Sequence, residues 1–178
     1  MTTTDVAPHP LDAVRPRVFR HARCYAPEPV MNVLRDVAGA PQLALVLDID
    51  ALERSARARV DRVMLLALAA LGRARVELVL AARTEHERAL LLQRMLPGAL
   101  WFSAGATLRS QLAEKLPGAP VIAITDAPEL IHMLAPHDRG VALGRPELAH
   151  DNVVTIGDTG VRAMLWALLD ERWQAIFS

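Results

Sequence analysis

The sequence predicts an α/β domain built on a parallel sheet. Three observations carry this. The run Leu43-Ala-Leu-Val-Leu47 is unbroken and apolar, as a strand buried on both faces should be, whereas a half-exposed strand alternates. Further short apolar runs follow it, separated by amphipathic stretches of helical length, which is the pattern of βαβ units. Hydrophobic residues make up 52% of a 178-residue chain, enough for one domain with a continuous core.

The elements can be justified in order. Residues 1–28 carry Pro8, Pro10, Pro16 and Pro27, with arginines and histidines crowded between Arg15 and Arg23. They are expected to form an extension, either a solvated tail or an arm packed on a partner subunit. A short helix fits Pro29–Ala38, with proline in its first turn and Gly39 after its end. We therefore divide the chain into an extension with a short helix, 1–40, and an α/β domain, 41–178. The first strand spans 43–48, and a helix from about Arg57 to Leu71 ends at Gly72. The second strand is 76–80. The helix after it runs from about Glu85 to Met95, with Thr84 as N-cap and Pro97-Gly98 closing it. The third strand, 99–102, leads to a helix over about 106–116 that stops at Pro117-Gly118. The fourth strand is 120–125, followed by a helix over 128–134. Strands at 140–143 and 152–156 and a last helix over 161–177 complete a three-layer Rossmann-like sheet with helices on both faces.

Lys+Arg and Asp+Glu both number 20, so no overall basic field points to nucleic acid or an anionic membrane. Lys115 is the single lysine. The single cysteine, Cys24, excludes an internal disulfide and fits a reducing compartment. Met1-Thr-Thr-Thr-Asp5 lacks the pattern of a signal peptide, and the longest apolar stretch, Val63 to Leu71, is too short to span a bilayer. A cytoplasmic protein is expected. The six histidines do not have zinc-ligand spacing, and His132 and His137 are read as solvated or packed. Trp166 and Trp173, two turns apart on the last helix, suit core packing or, alternatively, the interface of a homo-oligomer. Arg54, Arg57, Arg59 and Arg62 are read as a solvated face, paired with Glu53 and Asp61.

The chemistry-bearing feature is the pair Asp48 and Asp50 at the end of the first strand. Ligands of open α/β sheets sit at the carboxyl ends of strands. Two carboxylates there repel each other unless a cation intervenes, and Mg2+, which prefers oxygen ligands, suits such a place beside a phosphate.

Downstream, Phe102-Ser-Ala-Gly-Ala-Thr-Leu-Arg109 leads to Ile124-Thr-Asp-Ala-Pro-Glu-Leu-Ile-His-Met-Leu134 and then to Gly140-Val-Ala-Leu-Gly144. In order and spacing this resembles the haloacid dehalogenase (HAD) superfamily, most closely its Cof-type sugar-phosphatase branch, from about residue 43 to 168. The resemblance implies an aspartyl-phosphate nucleophile at Asp48 and a general acid/base at Asp50. It implies a Mg2+ site completed by Asp126 with Glu129, phosphate-binding groups at Arg83 and Ser103, and Arg109 as the substitute cation. Its implied ligand is a phosphorylated small molecule or macromolecule. Asp158, in Ile156-Gly-Asp-Thr-Gly160, is a second candidate for the distal metal acid, with Thr125 then supplying the motif hydroxyl.

The chain departs from the family pattern at several positions. Ala51 and Leu52 replace Gly and Thr, Ala81 stands where the second-motif hydroxyl belongs, Ala104 where the lysine belongs, and Leu130 where a second acid belongs. The intervals 53–75 and 84–102 are too short for an inserted cap domain. Two functions follow as expectations: a Mg2+-dependent phosphatase with a reduced site, or a catalytically inactive module that binds a partner or ligand. A receiver-like phosphoacceptor is disfavoured, since the chain lacks the lone Asp after the third strand and the Lys after the fifth that it would need.

Overall fold

In the computed structural model, residues 26–54, 58–83 and 87–177 are described. The arginine-rich arm with Cys24, Arg57, the expected cap Thr84 and His86 lie outside them. The elements are α1 (Glu28–Ala38), β1 (Leu43–Asp48), α2 (Ile49–Arg54), α3 (Arg62–Arg73), β2 (Val76–Ala82), α4 (Glu87–Met95), β3 (Leu100–Ser103), α5 (Leu108–Lys115), β4 (Val121–Thr125), α6 (Pro128–His132), β5 (Arg139–Leu143), a 3-10 turn (Pro146–Leu148), β6 (Val153–Ile156) and α7 (Gly160–Phe177). The six strands are parallel, in the order β3-β2-β1-β4-β5-β6. The order in which strands are added thus reverses between β1 and β4, which makes the carboxyl edge between them the switch point where such sheets take ligands.

Strand side chains alternate between two cores. Leu43, Leu45 and Leu47 of β1, Leu78 and Leu80 of β2 and Ile122 and Ile124 of β4 join the larger core under α1, α2, α3, α4 and α7. Ala44 and Val46, Val79 and Ala81, and Val121 and Ala123 join the smaller one under α5 and α6. This is the expected three-layer α/β arrangement. Every residue of β1 is buried, as its continuous apolar run requires.

Two expectations are corrected here. The helix expected over 57–71 is α3, which starts only at Arg62, and the short helix α2 at Ile49–Arg54 was not expected. Asp61 caps α3 by accepting the Met64 N–H at 2.9 Å, and the helix passes through Gly72 to Arg73, with Arg75 taking the left-handed conformation (φ 58) at its end. The short helix placed in the extension belongs to the domain core, because Val30, Met31, Leu34 and Val37 of α1 pack in the larger cluster, against α7. Pro97-Gly98 and Pro117-Gly118 close their helices as read, with Gly98 (φ 97) and Gly118 (φ 76) in the left-handed region. Trp166 and Trp173 pack, partly buried, against the larger core.

Arg172 of α7 ties three elements together. It is fully buried, and its guanidinium donates to the carbonyls of Ala38 (2.6 Å), Ala40 (2.5 Å), Ala74 (3.0 and 3.2 Å) and Arg75 (3.1 Å). Those carbonyls end α1 and α3, where helices leave acceptors unpaired and carry partial negative charge. Burial lowers the Arg172 pKa, with the neighbouring Arg75 adding to the effect; the carbonyl cage is what keeps a cation acceptable there.

Arg172→Met should therefore orphan these carbonyls and lower stability by roughly 3 kcal/mol or more, measured by urea unfolding; a loss under about 1 kcal/mol would mean that water replaces the guanidinium. Gly140 in β5 has no room for a methyl group, since a Cβ would lie 2.7 Å from Val153 Cγ2 and 3.0 Å from Leu134 Cδ1. Gly140→Ala should cost about 1–3 kcal/mol in the same experiment.

Candidate active site

The site is built at the carboxyl ends of β1, β2 and β4. Parity along β1 puts Asp48 on the α5/α6 face with Ala44 and Val46, and parity along β4 puts Thr125 there with Val121 and Ala123. The β1–β4 register ends at Leu47 and Ile124, so the next residues, Asp48 and Thr125, come side by side. The Thr125 hydroxyl donates to Asp48 Oδ2 at 2.5 Å, and the Ala51 N–H donates to Oδ1 at 3.1 Å. Thr125 Oγ1 in turn accepts the Ala127 N–H at 2.9 Å. Asp48 is fully buried. Burial raises its pKa above 3.8, the hydrogen bonds from Thr125 and Ala51 oppose this, and the charges of Asp126 and Asp50 add to the rise.

Asp50 sits in the first turn of α2, and its Oδ2 accepts the backbone N–H of Arg83 at 2.7 Å. The Arg83 guanidinium turns to Glu129 Oε1, with Nε at 3.1 Å and Nη2 also bonded. The Glu129 carboxyl is held below its ordinary pKa, first by its own backbone N–H and then by Arg83. Asp126 follows β4 directly. Both of its carboxylate oxygens face Arg54, Oδ2 at 2.8 Å from Nε and Oδ1 against Nη2. Arg145, after β5, donates to the Asp126 carbonyl at 3.3 Å.

The expected residues thus divide. Asp48, Asp50, Asp126, Arg83 and Glu129 gather at one sheet edge. Asp126, on the strand beside β1, stands next to Asp48, whereas Asp158 follows β6, three strands away in the sheet order. Ser103 ends β3, paired in register with Ala82, and so stands two strand spacings from β1, roughly 10 Å. Arg109 is a correction. Its Nε bonds Asp138 Oδ2 at 2.7 Å, and Asp138 accepts the Val121 N–H at 2.9 Å at the amino end of β4. The buried Asp138 carboxylate, unpaired without it, draws Arg109 to the edge opposite Asp48.

Two site residues were read otherwise from the sequence. Arg54 reads from the sequence as part of a solvated face, and among the described residues the Glu53–Arg59 pairing of that reading is present, at 3.2 Å. The signal that was available is spacing: Asp50 and Arg54 lie four apart on α2, on one face. Thr125 was assigned only under the Asp158 alternative. Its parity with Asp48 on neighbouring strands would have found it, and Ala81, registered beside Asp48 on β2, explains why the hydroxyl has to come from β4.

The donor set was tested against a divalent cation. Mg2+ needs near-octahedral oxygens with free lone pairs. Here Asp48 is fully buried with one hydrogen bond on each oxygen, and the positive Arg54 guanidinium faces both Asp126 oxygens, where it would repel a second cation. Among the described residues no three of His, Cys, Asp and Glu are grouped so as to hold a metal ion. This arrangement does not fit Mg2+.

No family model and no curated protein matches the chain. Solved structures do. A Vibrio cholerae protein provisionally described as a 3-deoxy-D-manno-octulosonate 8-phosphate phosphatase is 15% identical, with a TM-score of 0.59 over 84% of this chain and 90% of that one. A Legionella pneumophila protein provisionally described as a HAD superfamily subfamily III A hydrolase is 16% identical, with a TM-score of 0.59 over 84% and 93%. A third, provisionally described as a HAD family hydrolase of Streptomyces avermitilis, is 20% identical, with a TM-score of 0.51 over 72% and 94%. No described helix is long and apolar enough to cross a membrane. The chain has the α/β fold of HAD-type hydrolases, with the acids of β1 and β4 at its carboxyl edge.

Proposed function

We propose that this chain is a HAD-type domain whose phosphoryl-transfer site is closed, and that it works by binding rather than by turnover. One observation carries the reading: Asp48, the residue at the nucleophile position, is fully buried, so neither carboxylate oxygen is open to an incoming phosphate. A carboxylate that attacks phosphorus must present an oxygen in line with the leaving group. The alanines at 81 and 104 support the same reading, since they remove a hydroxyl and a cation that the resemblance implies. Each aimed donor lost from such a site costs about 3–4 kcal/mol of barrier, or roughly 10²–10³ in rate. The ligand class is a phosphorylated small molecule or macromolecule, because Arg83 and Arg145 border the site with partly exposed side chains, paired to the exposed carboxylates of Glu129 and Glu147 that a phosphate would displace.

A second reading, weak phosphomonoester hydrolysis, is favoured by the convergence of Asp50 and Asp126 on Asp48, on which their charges act. Phosphate release from a panel of phosphomonoesters, with Mg2+ and with EDTA, separates the two. The expected result is release by the wild type no faster than by Asp48→Asn under either condition. Mg2+-dependent release that disappears in Asp48→Asn would establish the second reading.

The same variant has a readout independent of catalysis. Because burial raises the Asp48 pKa, ionising it costs folding stability. That cost is absent below the ordinary value of 3.8 and grows as pH rises through the folded-state value. Asn carries no such cost, and its amide can still donate to Thr125 and accept from Ala51. The Tm of Asp48→Asn relative to wild type should therefore rise with pH above 3.8; a flat or falling difference would contradict the assigned burial cost.

A further inference from the structure

The acids at the carboxyl edge need a counter-charge. Asp48 and Asp126 end neighbouring strands, Asp50 lies one turn from Arg54 on α2, and Glu129 stands on α6 behind Arg83. Arg54 is the cation these groups share. Its guanidinium bonds Asp126 side-on through Nε and Nη2, and it also feels the charges of Asp48 and Asp50 and acts on Glu129. Its hydrogen bonding to Asp126, the largest cause, raises its pKa.

We propose that the Arg54 guanidinium is the resident cation of this site, occupying the place between the acids of β1 and β4 that a divalent ion would need, and that it keeps the site closed to divalent cations. The proposal rests on the closed-site reading above and names the group that does the closing. Three physical points favour an arginine here. Its fork matches a carboxylate through two parallel hydrogen bonds. It is always charged and only weakly hydrated, whereas Mg2+ dehydrates reluctantly. It is tethered six residues from Asp48 on a short helix, so no ligand has to be taken up from solution.

The test is Arg54→Met, which keeps the apolar stem and removes the charge. Mg2+ and Mn2+ are titrated into wild type, Arg54→Met and Arg54→Met/Asp126→Asn by calorimetry, and each protein is melted with Mn2+ and with EDTA. The single variant should bind both ions saturably and at least about tenfold more tightly than wild type, since a unit charge about 4 Å away acts strongly at a partly buried site. The double variant should lose that binding. Wild type that binds as tightly as Arg54→Met overturns the proposal, and so does a folded single variant that binds neither ion. If Arg54→Met melts early in EDTA, Mn2+ should restore its Tm; no restoration, with the double variant folded, also overturns it. Phosphate release by wild type would sink the closed-site reading without touching this measurement. Cation binding by wild type without phosphate release would sink the inference alone.

Discussion

The constraint on which the rest of the structure depends is the burial of β1 right up to its last residue. A strand covered on both faces and flanked by β2 and β4 has no solvent to offer the carboxylate at its end. An ion moved from water into such surroundings costs several kcal/mol unless hydrogen bonds compensate. Asp48 obtains them from the Thr125 hydroxyl and the Ala51 N–H. The first ties β1 to β4, and the second ties β1 to the opening turn of α2. The position of α2 then fixes Asp50 and, one turn on, Arg54.

The same problem recurs at two further buried places, and at both the answer is arginine. The buried Asp138 is held by Arg109 together with the N–H groups of Val121 and Ala135. The carbonyls ending α1 and α3 are gathered by Arg172. In a chain with one lysine, planar donors take the structural cation roles, and they suit buried acceptors because one guanidinium serves several at fixed angles. Arg109 and Arg54 are therefore occupied by the fold itself. Neither stands free beside Asp48 in the way that the lysine of a phosphoryl-transfer site must.

The fold was largely legible from the sequence because burial on both faces writes itself as composition. All six strands and, apart from α2 and the start of α3, the helices between them lie near the limits read from the sequence, and Pro-Gly pairs marked two helix ends. The short helix α2 was not legible, and neither was the start of α3 at Arg62 rather than about Arg57, where Asp61 caps the helix. The acids were legible for a related reason, being the polar residues that end apolar strands. Their partners were not. Which arginine reaches Asp126 is decided by the angle at which α2 leaves β1, and Arg109 is pulled away by Asp138, an acid between α6 and β5 that no motif marks.

The changes at the site form one consistent set rather than a scatter of losses. Register puts Ala81 and Thr125 on the two sides of Asp48. With alanine at 81 the hydroxyl comes from β4 alone, and because it donates to Asp48 it lowers the basicity and the exposure of the oxygen that would attack. Arg54 neutralises Asp126 in the same place, so the acids stay together without a bound ion. Restoring one group would therefore leave the others opposing it. A hydroxyl returned at position 81 would still face a carboxylate already bonded to Thr125. The stable state of this edge is a set of ion pairs, Arg54 with Asp126 and Arg83 with Glu129, with the arginines turned partly to solvent.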